Sequence, residues 1–318
     1  MPAQPVAEGA TLRRPLILWM SLLCALTLIA VPAGMLLGNP AVLRSHPLLP
    51  ALLAAAAVVG IFWVLLLWRR GGSQPHRAMG RSIAAWSGRV AVLGVAVALA
   101  WLNPFSYQPA GDRPASNASI VESPTDIVMV PANAAPSKGL IFYPGARVEA
   151  MAYADVLRPV VGAGYLVVIL KEPLGLSLVD GGQARSAISG HPEVRSWAVG
   201  GHSLGGVSAA AFAQSNADVQ GLVLYASYPL DSMRDRADLS VVSVSGTADQ
   251  LSTPAKIDLS RELLPADATY VTVQGGIHAF FGDYGVQPGD GEPSIDRAGA
   301  QEQISTATVA FMGQLAGG

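Results

Sequence analysis

The sequence predicts an α/β domain, with a mostly parallel sheet covered by helices on both faces, preceded by about three transmembrane helices. Three observations carry this reading. Of 318 residues 51% are hydrophobic and only 13% charged, and mean hydropathy is +0.40, whereas soluble domains average roughly 25% charged residues. The charge is also segregated: residues 1–103 hold one acid, Glu8, against eight arginines, a net of +7, which leaves −9 for the remainder. Beyond residue 122, short β-branched runs alternate with helix-like stretches. The pI of about 6.2 therefore averages two unlike segments, and disorder, a collagen-like chain and a basic nucleic-acid binder are poor readings. The single cysteine, Cys24, excludes an intramolecular disulfide and cysteine-ligated zinc. Three lysines among 20 basic residues, with abundant Ala, Gly and Val, suit a GC-rich bacterial gene.

A transmembrane helix needs about 20 mostly apolar residues, and the stretches at about 16–37, 48–68 and 83–105 qualify. The third contains Arg89, which is expected to snorkel to the near interface. Trp19, Trp68, Trp86 and Trp101 fall near the expected ends, where an interfacial belt places them. Arg13 and Arg14 precede the first stretch, Arg44 lies between the first two, and a dense set from Arg69 to Arg81 follows the second. By the positive-inside rule the N-terminus and second loop are cytoplasmic, and an odd number of spans puts everything after about Phe105 outside. Arg13-Arg14, the apolar run and Val31-Pro32-Ala33 also fit a cleavable signal; the length of the run favours retention. The expected organisation is a transmembrane anchor over 1–105, a linker over 106–121 and a further domain over 122–318.

From Gln108 to about Val121 the composition, rich in Pro, Ala, Ser, Gly and Asp, predicts a flexible tether. Strands are expected at Leu140–Tyr143, Tyr165–Leu170, Trp197–Gly200, Leu222–Ala226, Leu239–Ser245 and Thr269–Val273. Helices are expected at Tyr153–Val161, Gly182–Ser189, Leu204–Gln214, Pro254–Leu264 and about Asp296–Leu315, with Thr253 capping the fourth. This alternation implies a parallel sheet whose ligands bind at the carboxyl ends of the strands.

At such an end stands Gly201-His202-Ser203-Leu204-Gly205, a G-x-S-x-G pentapeptide. With 34 glycines in the chain a chance match has odds of roughly one in six, so specificity comes from context, a strand before it and a helix after it. Serine becomes nucleophilic only when a base takes its proton and a third group orients the base. The domain offers three histidines. His191 precedes Pro192 and reads as a loop residue, His202 adjoins Ser203 and reads as structural, and His278 follows the last strand at the end where Ser203 emerges. Asp249, in the turn after its strand, is the leading acid; Asp231, in a charged stretch after the preceding strand, is its rival. The oxyanion donors are expected to be the backbone N–H of Leu204 and of Ala146, with Gly145 as the alternative in the Tyr143-Pro144-Gly145-Ala146 loop. No histidine spacing suggests a metal, and neither metal nor organic cofactor is required.

The stretches Phe142–Gly145, Gly200–Gly206, Gly246–Asp249, Gly275–Gly285 and Gln287–Gly291 together resemble the α/β-hydrolase superfamily. The likeness is to its compact "α/β-hydrolase family 5" type, related to dienelactone hydrolases, and it extends over about Lys138 to Leu315. The resemblance implies an α/β-hydrolase fold with Ser203 as nucleophile, Asp249 as acid and His278 as base. Only Ser227–Asp238 separates the strands between which a cap is usually inserted, so no cap domain and an open site are expected. The anchor is outside the resemblance. The reading that follows is a membrane-anchored serine hydrolase acting on a small-molecule or lipid ester outside the bilayer. Acyl transfer to an envelope lipid or sugar would use the same three residues, and an inactive, membrane-tethered binding module would need none of them.

Overall fold

The structure is a computed structural model that describes residues 9–69, 79–109, 119–132 and 135–315. It divides into two compact units, one formed by the residues up to Leu43 with Leu48–Asn103, the other by Arg44–Pro47 with the chain from Pro104 onward.

The first unit is helical: α1 Gly9–Gly38, α2 Ala41–Arg44, α3 Leu48–Arg69 and α4 Met79–Trp101. Within it Leu16–Gly38, Leu48–Arg69 and Ala84–Trp101 are long and apolar enough to cross a membrane. Exposed Leu23, Leu26, Val58, Phe62 and Val97 make their outer surfaces apolar, the pattern of helices that meet no water at their flanks. α1 and α3 pack closely at Gly60, where a Cβ would sit 2.7 Å from the Ala25 carbonyl oxygen. Two expectations are corrected. The third helix stops at Trp101, not Phe105, ahead of Asn103-Pro104, where proline disfavours helical backbone in the residue before it. Arg89 does not snorkel: it is buried, its Nε and Nη2 donating to Ser21 Oγ at 3.0 and 2.7 Å and its Nη1 to the Ala85 carbonyl at 2.7 Å. A hydroxyl one helix away supplies what the interface would have supplied. Arg70 and Arg77 of the basic cluster lie outside the described residues, as does the cytoplasmic loop they were assigned to.

The second unit is built on an eight-stranded sheet: β1 Ser119–Glu122, β2 Asp126–Val130, β3 Lys138–Tyr143, β4 Leu166–Leu170, β5 Ser196–His202, β6 Val219–Tyr225, β7 Ser240–Gly246 and β8 Thr269–Val273. Their order is β1-β2-β4-β3-β5-β6-β7-β8, with β1 and β2 antiparallel additions at one edge and all pairings from β4 to β8 parallel. The helices are α5 Ala154–Gly162, α6 Ala184–Gly190, α7 Leu204–Ser215, α8 Pro254–Ser260 and α9 Arg297–Gln314. Alternation along β3 sends Leu140 and Phe142 to the core under α5 and α9, and Ile141 and Tyr143 to the core under α6 and α7. Burial on both faces explains why these strands read as continuous apolar runs. Thr253 caps α8 by accepting from the Lys256 N–H.

β1 and β2 were not anticipated. The expected tether therefore ends before Ser119, and its residues 110–118 lie outside the described ones. At its start, Phe105 bridges Val148 and the Gln108 N–H donates to the Asp283 carbonyl at 2.7 Å, so 105–108 run along the sheet domain instead of hanging free of it. Between β6 and β7 the chain forms no helix or strand, so no cap domain is inserted in that connection. The connection leaving β3 goes to β4 on one side, while β5 lies on the other. That reversal opens a crevice at the carboxyl ends of β3 and β5, and register there aligns Tyr143 with Gly201.

Candidate active site

Ser203 occupies that crevice. It joins β5 to α7 with φ 54° and ψ −122°, a conformation costing a non-glycine residue on the order of 1–3 kcal/mol. The turn is held from both sides: the Ser203 N–H donates to the Tyr225 carbonyl at 3.0 Å, and Ser227 Oγ donates to the Ser203 carbonyl at 2.7 Å. The flanking glycines are required by contact. A Cβ on Gly201 would stand 2.4 Å from the Gly205 carbonyl carbon, and one on Gly205 would stand 2.2 Å from the Tyr143 and Pro144 carbonyl oxygens. The first would force the turn open between β5 and α7, and the second would lift it off β3.

His278 opens a short 3-10 turn, His278–Phe281, after β8. Its ring is fully buried, and Nδ1 lies 2.8 Å from Asp249 Oδ2, a carboxylate that is likewise buried. Asp249 Oδ1 accepts the N–H groups of Leu251 and Ser252, each at 2.8 Å. With its carboxylate an acceptor at both oxygens, Asp249 orients the ring with Nδ1 protonated and Nε2 carrying the lone pair. His278 Nε2 is buried and makes no hydrogen bond, and Ser203 Oγ makes none among the described residues. The backbone of the turn is fixed separately by Asp290, which accepts the N–H groups of His278 at 3.1 Å and Ala279 at 2.8 Å.

The loop after β3 follows the same logic of committed and uncommitted donors. The Gly145 N–H donates to Tyr153 Oη at 2.9 Å, Arg147 N–H to the Gly175 carbonyl at 2.7 Å and Val148 N–H to the Gly145 carbonyl at 3.0 Å. The amides of Ala146 and of Leu204, the first residue of α7, find no partner among the described residues. Of the two donors considered in this loop, Gly145 is thus already engaged and Ala146 is open. Two other sequence candidates lie apart, and the third, His202, lies inside the site. His191 pairs with Glu193 at 3.1 Å in a loop, and Asp231 is exposed on the rim of a groove of about 650 Å³ running along α7. His202 is buried against His278, their ring centroids 4.4 Å apart. Burial, and then the neighbouring His278, hold it well below the usual histidine range and so uncharged.

Three residues of the site escaped the sequence reading: Tyr153, Ser227 and Glu172. Glu172 lies just beyond β4, is 3% exposed, and neither carboxylate oxygen finds a partner among the described residues. Burial pushes its carboxyl well above the ordinary range, towards the neutral acid. Nothing in Lys171-Glu172-Pro173 marks it in advance. Among the described residues no three His, Cys, Asp or Glu side chains cluster as a metal ion would require.

No curated protein matches the chain. Among solved structures, the esterase domain from a Rhodothermus marinus protein aligns with TM-score 0.45 at 14% identity, covering 58% of this chain and 90% of that one. The model of the Alpha/beta hydrolase family matches residues 139–302, which span the sheet from β3 to β8, the Ser203 turn and both members of the Asp249–His278 pair, and the chain belongs to that family.

Proposed function

We propose that this hydrolase is a membrane-anchored serine esterase that works through an acyl-enzyme on Ser203, with His278 as base, Asp249 as its orienting acid, and the Ala146 and Leu204 amides as oxyanion donors. The observation that carries the reading is the buried His278–Asp249 pair, with an unspent Nε2, at the end of the sheet where Ser203 sits on its strained turn. In the first half-reaction His278 Nε2 takes the Ser203 proton as Oγ bonds to the acyl carbon, and the oxyanion is met by the two free amides. Collapse breaks the ester C–O bond, and the leaving alkoxide takes the proton from His278. Water then repeats the sequence against the acyl-enzyme, releasing the acid and restoring Ser203. In the resting protein the Oγ–Nε2 contact is not made, as is common before substrate is bound.

In this reading residues 1–105 anchor the protein through three spans, 106–121 link the two parts, and 122–318 form the catalytic domain. The arginine distribution supports a cytoplasmic N-terminus and a catalytic domain on the extracytoplasmic side. The absence of any helix or strand between β6 and β7 supports an open site for a small-molecule or lipid ester. The test is Ser203→Ala and His278→Ala in the full chain, assayed with short p-nitrophenyl esters and a fluorophosphonate probe. Both are expected to lose nearly all turnover, and Ser203→Ala all labelling; undiminished turnover in either refutes the assignment.

A further inference from the structure

Tyr153 ends the short 3-10 turn Ala150–Tyr153 before α5, and its side chain is completely buried. Its hydroxyl has two partners: it accepts the Gly145 N–H at 2.9 Å and lies 2.8 Å from His202 Nδ1. An amide can only donate, so the phenolic proton must go to His202, which makes Nδ1 the acceptor and puts the imidazole proton on Nε2. A proton on Nδ1 would leave both the phenolic proton and the Nε2 lone pair buried without a partner, whereas this arrangement leaves only the Nε2 proton so. The groups around this pair bring no negative charge that would favour a protonated ring: His278 lies at 4.4 Å between centroids, Tyr284 at 6.1 Å, Phe281 is stacked nearly parallel at 5.7 Å, and the Glu172 carboxyl beyond Tyr153 is held towards the neutral acid by its burial.

His202 immediately precedes Ser203, while Gly145 immediately precedes Ala146. The hydrogen-bonded chain Gly145–Tyr153–His202 therefore ties the oxyanion loop to the nucleophile's own turn. The same loop is pinned from its other side by Val148 N–H on the Gly145 carbonyl. The peptide is trans, so that carbonyl and the Ala146 N–H of the same plane point in opposite directions. Fixing one fixes the other. Gly145 has no room for a side chain because the pair lies against it: a Cβ would be 2.8 Å from His202 Nδ1 and 3.0 Å from Tyr153 Oη.

We propose that Tyr153 and His202 are positioning residues that preset the Ala146 amide relative to Ser203 before substrate arrives. The inference rests on the reading of Ser203 as nucleophile. Such bracing acts on the transition state, in which the oxyanion forms, and leaves ground-state binding alone. Tyr107 provides the control: it is a partly buried tyrosine whose hydroxyl also makes a side-chain hydrogen bond, at 2.8 Å to Asp155 Oδ2, outside the Gly145–Tyr153–His202 chain.

The experiment compares Tyr153→Phe, Tyr107→Phe and Ser203→Ala in the full-length chain in detergent. Tyr153→Phe should lower kcat by about 10- to 100-fold, somewhat less than loss of an oxyanion donor itself, with KM changed by less than about threefold. Affinity for a trifluoromethyl ketone analogue of the tetrahedral intermediate should fall in step with kcat. Tyr107→Phe should change kcat less than about twofold. An unchanged kcat in Tyr153→Phe, or an equal loss in both tyrosine variants, overturns the proposal. Turnover surviving in Ser203→Ala would instead overturn the nucleophile assignment. Nitrogen-15 NMR of the wild-type side chains tests the same bond without any variant: His202 should stay in the Nε2–H form from pH 5 to 9, and an Nδ1–H form or a titration near neutrality refutes it.

Discussion

Asp249→Asn is the substitution for which the structure dictates the chemistry most tightly. Asp249 Oδ1 is held by two backbone donors, Leu251 N–H and Ser252 N–H, both at 2.8 Å. In asparagine the carbonyl oxygen must keep that place, because an amide NH2 there would face two N–H groups. The NH2 group then falls where Oδ2 was, 2.8 Å from His278 Nδ1, and donor meets donor. His278 relieves the conflict by moving its proton to Nε2, the nitrogen that accepts from Ser203 in the proposed mechanism. The proposed base is then lost although every heavy atom keeps its position. In a serine protease the equivalent exchange lowers kcat by about 10⁴-fold, corresponding to about 5.4 kcal/mol of barrier. The variant keeps both backbone hydrogen bonds, so its thermal midpoint should stay close to wild type, and the kinetic loss is not an unfolding artefact. The assay is steady-state hydrolysis of a p-nitrophenyl ester at pH 8 with fluorophosphonate labelling rates measured in parallel. Both should collapse together. A folded Asp249→Asn protein with kcat within tenfold of wild type would mean that the pair does not set the tautomer, and the derivation fails.

Three further outcomes follow from contacts away from the acid. Gly205→Ala must open a gap of roughly 1 Å between the Ser203 turn and β3, since its Cβ would start 2.2 Å from two carbonyl oxygens; overpacking of this kind costs about 1–3 kcal/mol, read as a lowered urea midpoint together with weakened activity. Glu172→Gln should stabilise the protein at neutral pH. The folded-state pKa is raised, so the stability Glu172 contributes is complete below its unfolded value of about 4.3 and is lost as pH rises towards the folded value. The advantage of glutamine should therefore be absent near pH 4 and grow above pH 5 in denaturant titrations; an advantage that does not change with pH contradicts the buried-acid reading. Ser21→Ala removes the acceptor of two Arg89 donors and should cost about 1.5–3 kcal/mol in detergent unfolding, but almost nothing in an Arg89→Met background. An equal cost in both backgrounds would show that the bond is not the cause.

What was legible in the sequence was whatever a few neighbouring residues decide among themselves. The Ser203 turn was readable because its glycines answer to contacts within the turn and with the strand beside it, and the central strands β3 to β7 because burial on both faces leaves them mostly apolar. Even there the edges slipped: β5 runs past Gly200 through Gly201 to His202, since Gly201, which read as the start of the turn, is paired with Leu224. β1 has all four residues exposed, so it shows neither alternation nor an apolar run, and only its pairing with β2 makes it a strand. Arg89 was misjudged for a related reason, because its partner Ser21 lies 68 residues away and no local rule connects them. The same limit explains why His202 read as a bystander of the pentapeptide. Its part depends on Gly145, Tyr153 and His278, brought together from three loops, and on a glycine whose need for empty space comes from a tyrosine eight residues on. Nucleophile, base and acid belong to residue types whose chemistry announces itself, whereas a brace is defined only by what it touches. Distant contacts of this kind also decide whether Ala146 presents its amide, so the part of the site hidden from the sequence is the part that sets how well the visible residues work.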